Sequence, residues 1–166
     1  MPADRDASVE ELSDSTPDGG GRRDPAVSDA QAVLDRVERD EIAARAARER
    51  LRDGPMSPIE PDATISPLLH PGELVLSQRS AVLLNPPSGN PAIAAYGGAL
   101  YLTSRRLIHT GRLLVSIGLE QVREVSLAGE RLLLTLEGGD GMSLEAEQPR
   151  LLRVEIAAAL AQLRQD

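Results

Sequence analysis

The sequence predicts a mainly β domain, an antiparallel barrel of about seven short strands, capped by a C-terminal α-helix and preceded by a separate N-terminal helix. Three observations predict this class. Apolar residues recur at helical spacing over residues 28–53 and again near the C-terminus. Between Gly72 and Ala146 they alternate instead with a period of two. Glycine-containing turns separate the alternating runs, which is typical of hairpins.

The first 27 residues are predicted to be a disordered acidic tail. They contain few large apolar side chains, and residues 1–30 carry eight acids against three arginines, or −5 of the chain's net −8. Such a segment cannot bury enough surface to offset the entropy lost on ordering.

An amphipathic helix is predicted over residues 28–53, with Ser28 or Asp29 as its cap and Gly54-Pro55 as its end. A narrow apolar stripe follows one of its faces. The members of this stripe are Val33, Val37, Ala44, Ala47 and Leu51. The stripe leaves three outcomes open: the helix docks on the domain, pairs with a partner helix, or stands in solvent.

Residues 54–67 are rich in proline, which is incompatible with both a helix interior and a central strand. They are therefore predicted to form an extended, fairly stiff linker. The folded domain is expected over residues 68–166.

The strands are predicted from groups of apolar residues that share one face and from the short run that follows the Ser104-Arg105 turn. These are Leu74 and Leu76; Leu100 and Leu102; Leu107 to Gly111; Leu113, Val115, Ile117 and Leu119; Val125 and Leu127; Leu132, Leu134 and Leu136; and Met142, Leu144 and Ala146. From Pro149 the period returns to 3.6, which predicts the capping helix with Leu152, Ile156, Ala159, Leu160 and Leu163 on its core face.

The segment Gly98-Ala99-Leu100-Tyr101-Leu102-Thr103-Ser104-Arg105-Arg106-Leu107-Ile108 resembles the second and third strands of GRAM and bacterial PH-like domains. Leu69-His70-Pro71-Gly72-Glu73 resembles the entry to their first strand. The resemblance covers about residues 68–164 and implies a PH-like barrel.

The motif itself is expected to hold the fold. Its alternating residues predict a half-buried strand, Thr103 can hydrogen-bond to the tight turn, and Arg105 or Arg106 is expected to reach across strands or to loop carbonyls. The loop over residues 85–95 contains no arginine, so the phosphoinositide recognition of many PH domains is not carried over.

Composition excludes several classes of function. The chain has no cysteine and no lysine, which removes disulfides, thiolate sites and phosphate-loop lysines. A net charge of −8 argues against nucleic-acid binding, and two isolated histidines make a metal site improbable. No cofactor is expected. The arginine-only basic set indicates a GC-rich bacterial genome.

Candidate site residues are few. The arginines proposed for anion contact are Arg79, Arg105, Arg106 and Arg112, with ordinary surface charge as the alternative. His109 is the best candidate for catalysis, but no Gly-x-Ser-x-Gly elbow accompanies it, and a strand histidine with one hydrogen bond is the simpler interpretation.

The sequence therefore favours a noncatalytic interaction module that binds a protein partner, through a sheet edge or the groove beside the C-terminal helix. Leu151 and Val154 lie off the core face of that helix and are candidates to line the groove, which the N-terminal helix could itself occupy. The alternatives are a peripheral membrane or lipid-binding module and an unrecognised hydrolase. The expected location is the cytoplasm, or the inner face of the membrane.

Overall fold

The computed structural model describes residues 25–85 and 95–165. Within these residues, two helices flank a seven-stranded sheet. The elements are α1 (Pro25–Asp53), β1 (Val75–Asn85), β2 (Tyr96–Thr103), β3 (Arg106–Gly111), β4 (Val115–Gly118), β5 (Val122–Ala128), β6 (Arg131–Leu136), β7 (Gly141–Ala146) and α2 (Pro149–Leu163). Short 3-10 turns lie at Ser66–Leu68 and Leu119–Gln121.

All strand pairs are antiparallel, in the order β4-β3-β2-β1-β7-β6-β5. The two edge strands, β4 and β5, are joined only by the 3-10 turn, which can span roughly 10 Å. The sheet must therefore curl until its edges are near each other, which makes an incomplete barrel. Helix α2 packs against β5, β6 and β7 and covers the core. The predicted fold class is confirmed.

The core is aliphatic and lies between the inner face of the sheet and α2. Leu100 and Leu102 from β2 meet Leu152 and Ile156 from α2 in one buried cluster. Each apolar face predicted from the two-residue period contributes residues to it, with Leu113 and Val115 at its margin. Leu74 is a correction: it was predicted to share the core face with Leu76, but it precedes β1 and is 50% exposed. Leucine and isoleucine fill the space that aromatic side chains occupy in other cores.

The outer face of β1–β3 is also covered, and this was not expected. Residues 54–72, here called the strap, cross that face and insert Ile65, which is fully buried, among Val75, Tyr101 and Ile108. Ile59 also pairs with Val75, its N–H lying 2.8 Å from the Val75 carbonyl oxygen. The prolines thus stiffen a packed segment, whereas a linker alone was predicted.

The prediction that the second strand is half-buried is wrong. All four residues from Leu100 to Thr103 are buried, because the core covers one face and the strap covers the other. The alternation in sequence identified correctly which residues share a face, but it did not show that the strap covers the outer face.

Helix α1 begins at Pro25, earlier than the predicted Ser28 or Asp29, and ends at Asp53 as expected. Proline fits the first turn because its missing N–H has no helical partner there. Residues 25–27 are thus helical, a correction to the predicted tail, while residues 1–24 and the loop over 86–94 lie outside the described residues. Neither helix in the described part is long and apolar enough to cross a membrane.

Candidate functional site

A buried carboxylate at the entrance to β1 organises the turn between β2 and β3. Glu73 accepts four hydrogen bonds: from the Thr103 hydroxyl (2.6 Å), from Nε and one terminal nitrogen of Arg106 (2.9 Å each), and from the His70 N–H (2.9 Å). Arg106 also donates to the Leu68 carbonyl oxygen at 2.6 Å. The strap, β1 and the β2–β3 turn are therefore tied together at one point.

The folded protein strongly favours the ionised form of Glu73. Burial alone would raise the pKa of Glu73, but the hydrogen bonds from Arg106, the His70 N–H and Thr103 lower it to about 2. Thr103 Oγ1 also accepts hydrogen bonds from the backbone N–H groups of Arg105 (3.2 Å) and Arg106 (2.9 Å). The predicted structural roles of Thr103 and of one arginine in this turn are thus confirmed.

The strap is anchored a second time at Asp62. One carboxylate oxygen accepts the N–H groups of Thr64 and Ile65, each at 2.9 Å, while the other accepts the Tyr101 hydroxyl at 2.8 Å and Gln78 at 3.0 Å. The Ile65 N–H and then the Tyr101 hydroxyl lower the pKa of Asp62. This anchor holds Ile65 in position over the sheet.

Arg79 lies in a different part of the fold, between β1 and α2. Its guanidinium pairs with Glu155 and donates to the carbonyl oxygens of Glu147 (3.4 Å) and Gln148 (3.3 Å). Burial lowers the pKa of Arg79, and the nearby carboxylates of Glu155 and Asp40 oppose that effect. Its Nε has no hydrogen-bond partner among the described residues.

The four arginines proposed for anion contact do not form one site. Arg106 and Arg79 are engaged in the internal contacts above. Arg105 and Arg112 are exposed, but they flank β3 at opposite ends, about 20 Å apart at the usual rise per strand residue. Arg105 and Arg106 thus lie at the start of β3 and Arg112 just past its end, so these three residues are not brought together.

His109 points into the curled sheet and is only 1% exposed. Its Nε2 lies 3.3 Å from the Ala81 carbonyl oxygen, and Nδ1 has no partner among the described residues. The imidazole lies against Gly98, because a Cβ added to this glycine would be 3.1 Å from Cε1 of His109. His109 therefore has one hydrogen bond, as expected for a structural rather than a catalytic strand histidine.

A candidate binding surface lies where β5 runs beside α2. Within residues 25–85 and 95–165, β5 pairs with β6 alone, so its other side presents unpaired backbone N–H and carbonyl groups. Val125 and Leu127 are half-buried at this edge and pack on the core, while Glu124 is exposed. The other edge strand, β4, has only four residues.

Helix α1 also packs against α2. Asp40 of α1 accepts the N–H groups of Arg150 (2.8 Å) and Leu151 (3.0 Å) at the start of α2, and the Arg150 guanidinium lies 3.6 Å from the same carboxylate. Ala44 and Ala47, one and two turns further along α1, are fully buried. The sequence analysis did not identify Asp40. It lies between Val37 and Ala44 on the apolar stripe, and an acidic residue on an apolar face was the signal that could have revealed it.

Comparisons with known proteins leave the family open. No family model matches the sequence, and no curated protein matches it significantly. A solved structure described as the C-terminal domain of an unknown protein from Leishmania infantum is similar to 62% of this chain and 93% of its own, at 17% identity and a TM-score of 0.43.

Proposed function

We propose that this chain is a noncatalytic PH/GRAM-like interaction module that binds a protein partner as an extended strand along the edge of β5. The observation that carries the proposal is the unpaired side of β5, a seven-residue edge strand that lies beside α2. An incoming strand gains main-chain hydrogen bonds from β5, and side-chain contacts with the exposed face of α2 can supply selectivity.

The choice of β5 over β4 rests on length and surroundings. Four residues of β4 offer few outward hydrogen bonds, whereas β5 offers seven residues and an adjacent helix. On α2, helical phase places Arg153, Ala157 and Leu160 on the flank away from Asp40, Leu151 and α1. This flank of α2 thus combines apolar side chains with one positive charge.

The polar residues are engaged in hydrogen bonds within the fold, which supports a noncatalytic role. Glu73, Thr103 and Arg106 satisfy one another, and His109 is enclosed by the sheet. A binding module fits these features, because it requires a stable scaffold and an open sheet edge.

The proposal is tested by selecting binders from a random 12-residue peptide library displayed on phage, followed by titration of the synthetic peptides against the full chain. Two single variants of the chain, Val125→Pro and Ser126→Pro, locate the site. Consecutive strand residues direct their N–H groups to opposite sides, so one proline removes a β5–β6 bond and the other removes an outward donor.

We expect the proline variant that retains the wild-type melting temperature to bind selected peptides at least tenfold more weakly. Selected peptides that bind this variant as tightly as the wild type would show that the β5 edge is not the site. Failure to select any peptide, together with salt-sensitive sedimentation on vesicles of anionic phospholipid, would favour the lipid-binding alternative.

A further inference from the structure

Among the described residues, the side chains of α1 that are buried against the domain lie across its middle, at Asp40, Ala44 and Ala47. An open cleft of about 700 Å³, with Val33 and Arg36 on one side and Val82 and Glu145 on the other, separates its first half from the sheet. A second cleft of about 660 Å³ lies beside its last turn, next to Leu51. Between these clefts, the docked segment is short and its fully buried side chains are the small Ala44 and Ala47.

The outer surface of α1 also carries apolar side chains with no cover from the described residues. Val27, Leu34 and Ile42 are 66%, 62% and 58% exposed. The helix is joined to the strap through Gly54, whose surroundings are open, since an added Cβ would meet nothing within 4 Å. Helix α1 therefore borders open clefts on both sides of its buried middle, and it joins the strap at an unobstructed position.

The start of α2 is built to receive a carboxylate from outside the helix. Gln148, the residue before its first turn, has a left-handed backbone (φ 51°) and its side chain makes no capping hydrogen bond. The N–H groups of Arg150 and Leu151 are capped instead by Asp40, 110 residues earlier in the chain. Arg150 adds a positive charge at the same point, and Arg79 is close enough for Asp40 to raise its pKa.

The face of α2 beside this cap is moderately apolar. Leu151, Val154 and Ala158 recur at i, i+3 and i+7 and are half-buried, with the helical phase that directs them toward α1. A helix that fits here needs a carboxylate at the α2 N-terminus and small residues four and seven positions later, as Asp40, Ala44 and Ala47 provide.

We propose that α1 is a displaceable ligand in cis, and that this face of α2 accepts an amphipathic helix of the same chemistry from another protein. The carboxylate caps α2, and the small residues allow close approach of the two helices. This surface differs from the α2 flank proposed for the β5 site, because Leu151 and Ala158 fall on the other side of the helix from Arg153 and Leu160. Since α1 competes from within the chain, the partner binds only when α1 is released.

The test uses the full chain carrying Asp40→Arg, which places a cation against Arg150 and the positive end of α2 and so releases α1. A fluorescent peptide of residues 25–53 is added in trans. We expect saturable binding to the Asp40→Arg chain and at least tenfold weaker binding to the wild type, where α1 occupies the site. A peptide with Asp40→Ala should bind about fivefold more weakly, the usual effect of a lost helix cap, and a peptide with Glu38→Gln should match the parent.

A second measurement covers the case in which the Asp40→Arg chain does not fold. In the wild-type chain, amide hydrogen exchange should show residues 40–53 opening together, at a free energy well below that of Leu100 and Leu102 in the sheet. Exchange of residues 40–53 only through global unfolding would overturn the proposal. So would peptide binding that is equal for wild type and variant, or a wild-type dimer formed by exchange of α1 between copies, which would make a second copy the occupant.

Discussion

Replacement of Glu73 by glutamine tests the physical account of the β2–β3 turn. The substitution keeps the shape and one carbonyl acceptor but removes the negative charge that Arg106, Thr103 and the His70 N–H all contact. It also introduces an amide NH2 group among groups that are all donors. A buried cation, Arg106, then loses its counter-charge.

The magnitude follows from the pKa. The folded protein lowers the pKa of Glu73 from 4.5 to about 2, and the side chain of this residue is fully buried, so the ionised form is stabilised by about 3 kcal/mol relative to the neutral form. Because glutamine mimics the neutral form, Glu73→Gln should lower the free energy of unfolding at pH 7 by about 3 kcal/mol.

The pH dependence has a definite sign. A carboxylate with a lowered folded pKa stabilises the protein fully above its unfolded pKa of 4.5 and loses that effect as the pH falls toward 2. Urea unfolding of both proteins should therefore show a constant difference from pH 7 to about 5 that shrinks below 4.5. Asp62 titrates in both proteins, so its effect cancels. Glu124→Gln, at an exposed position, is the control and should change stability by less than about 0.5 kcal/mol at pH 7.

A Glu73→Gln variant that unfolds within about 0.5 kcal/mol of the wild type at pH 7 would contradict this expectation, and so would a difference that persists unchanged in acid. The first result would mean that Arg106 is satisfied without its counter-charge. The second would mean that the glutamine amide disturbs packing, and that the charge of Glu73 contributes little.

Three further substitutions test packing, each by thermal or urea unfolding. Ala44→Leu should cost about 1–3 kcal/mol because Ala44 is fully buried on the face of α1 that docks on the domain, whereas Ala46→Leu on the exposed side should be within about 0.5 kcal/mol; equal effects would contradict the described docking. Gly98→Ala should cost about 3 kcal/mol because its Cβ would lie 1.7 Å from a backbone oxygen of β3, while Gly97→Ala meets nothing within 4 Å and should be nearly neutral. Gln148→Gly should stabilise by about 0.5–1 kcal/mol by relieving the left-handed backbone, and a loss of stability would show that its side chain has an unrecognised role.

Much of the fold could be predicted because the two-residue period directly records which side chains share a face. Leu100 and Leu102 were placed on the core face, and Thr103 was assigned to the turn that its hydroxyl stabilises, since its contacts are only two and three residues away. The capping helix was equally clear, because Leu152 and Ile156 follow the 3.6-residue period.

The remaining features depend on contacts between distant residues. Glu73 meets Arg106 33 residues later, and Asp40 meets Arg150 across 110 residues, so neither pairing leaves a local pattern. Ile65 was assigned to a linker because proline spacing predicts stiffness but not what the stiff segment packs against. The β5 edge could be anticipated only in general terms, because strand order, and hence which strand is unpaired, is not encoded in the alternation.

The proposed strand-binding role of β5 is tested most directly by nuclear magnetic resonance of the full chain with the tightest selected peptide. The proposal predicts intermolecular nuclear Overhauser effects between backbone protons of the peptide and those of Val122–Ala128, with slowed amide exchange along β5. A bound peptide whose contacts lie elsewhere, with β5 amides exchanging as in the free chain, would contradict it.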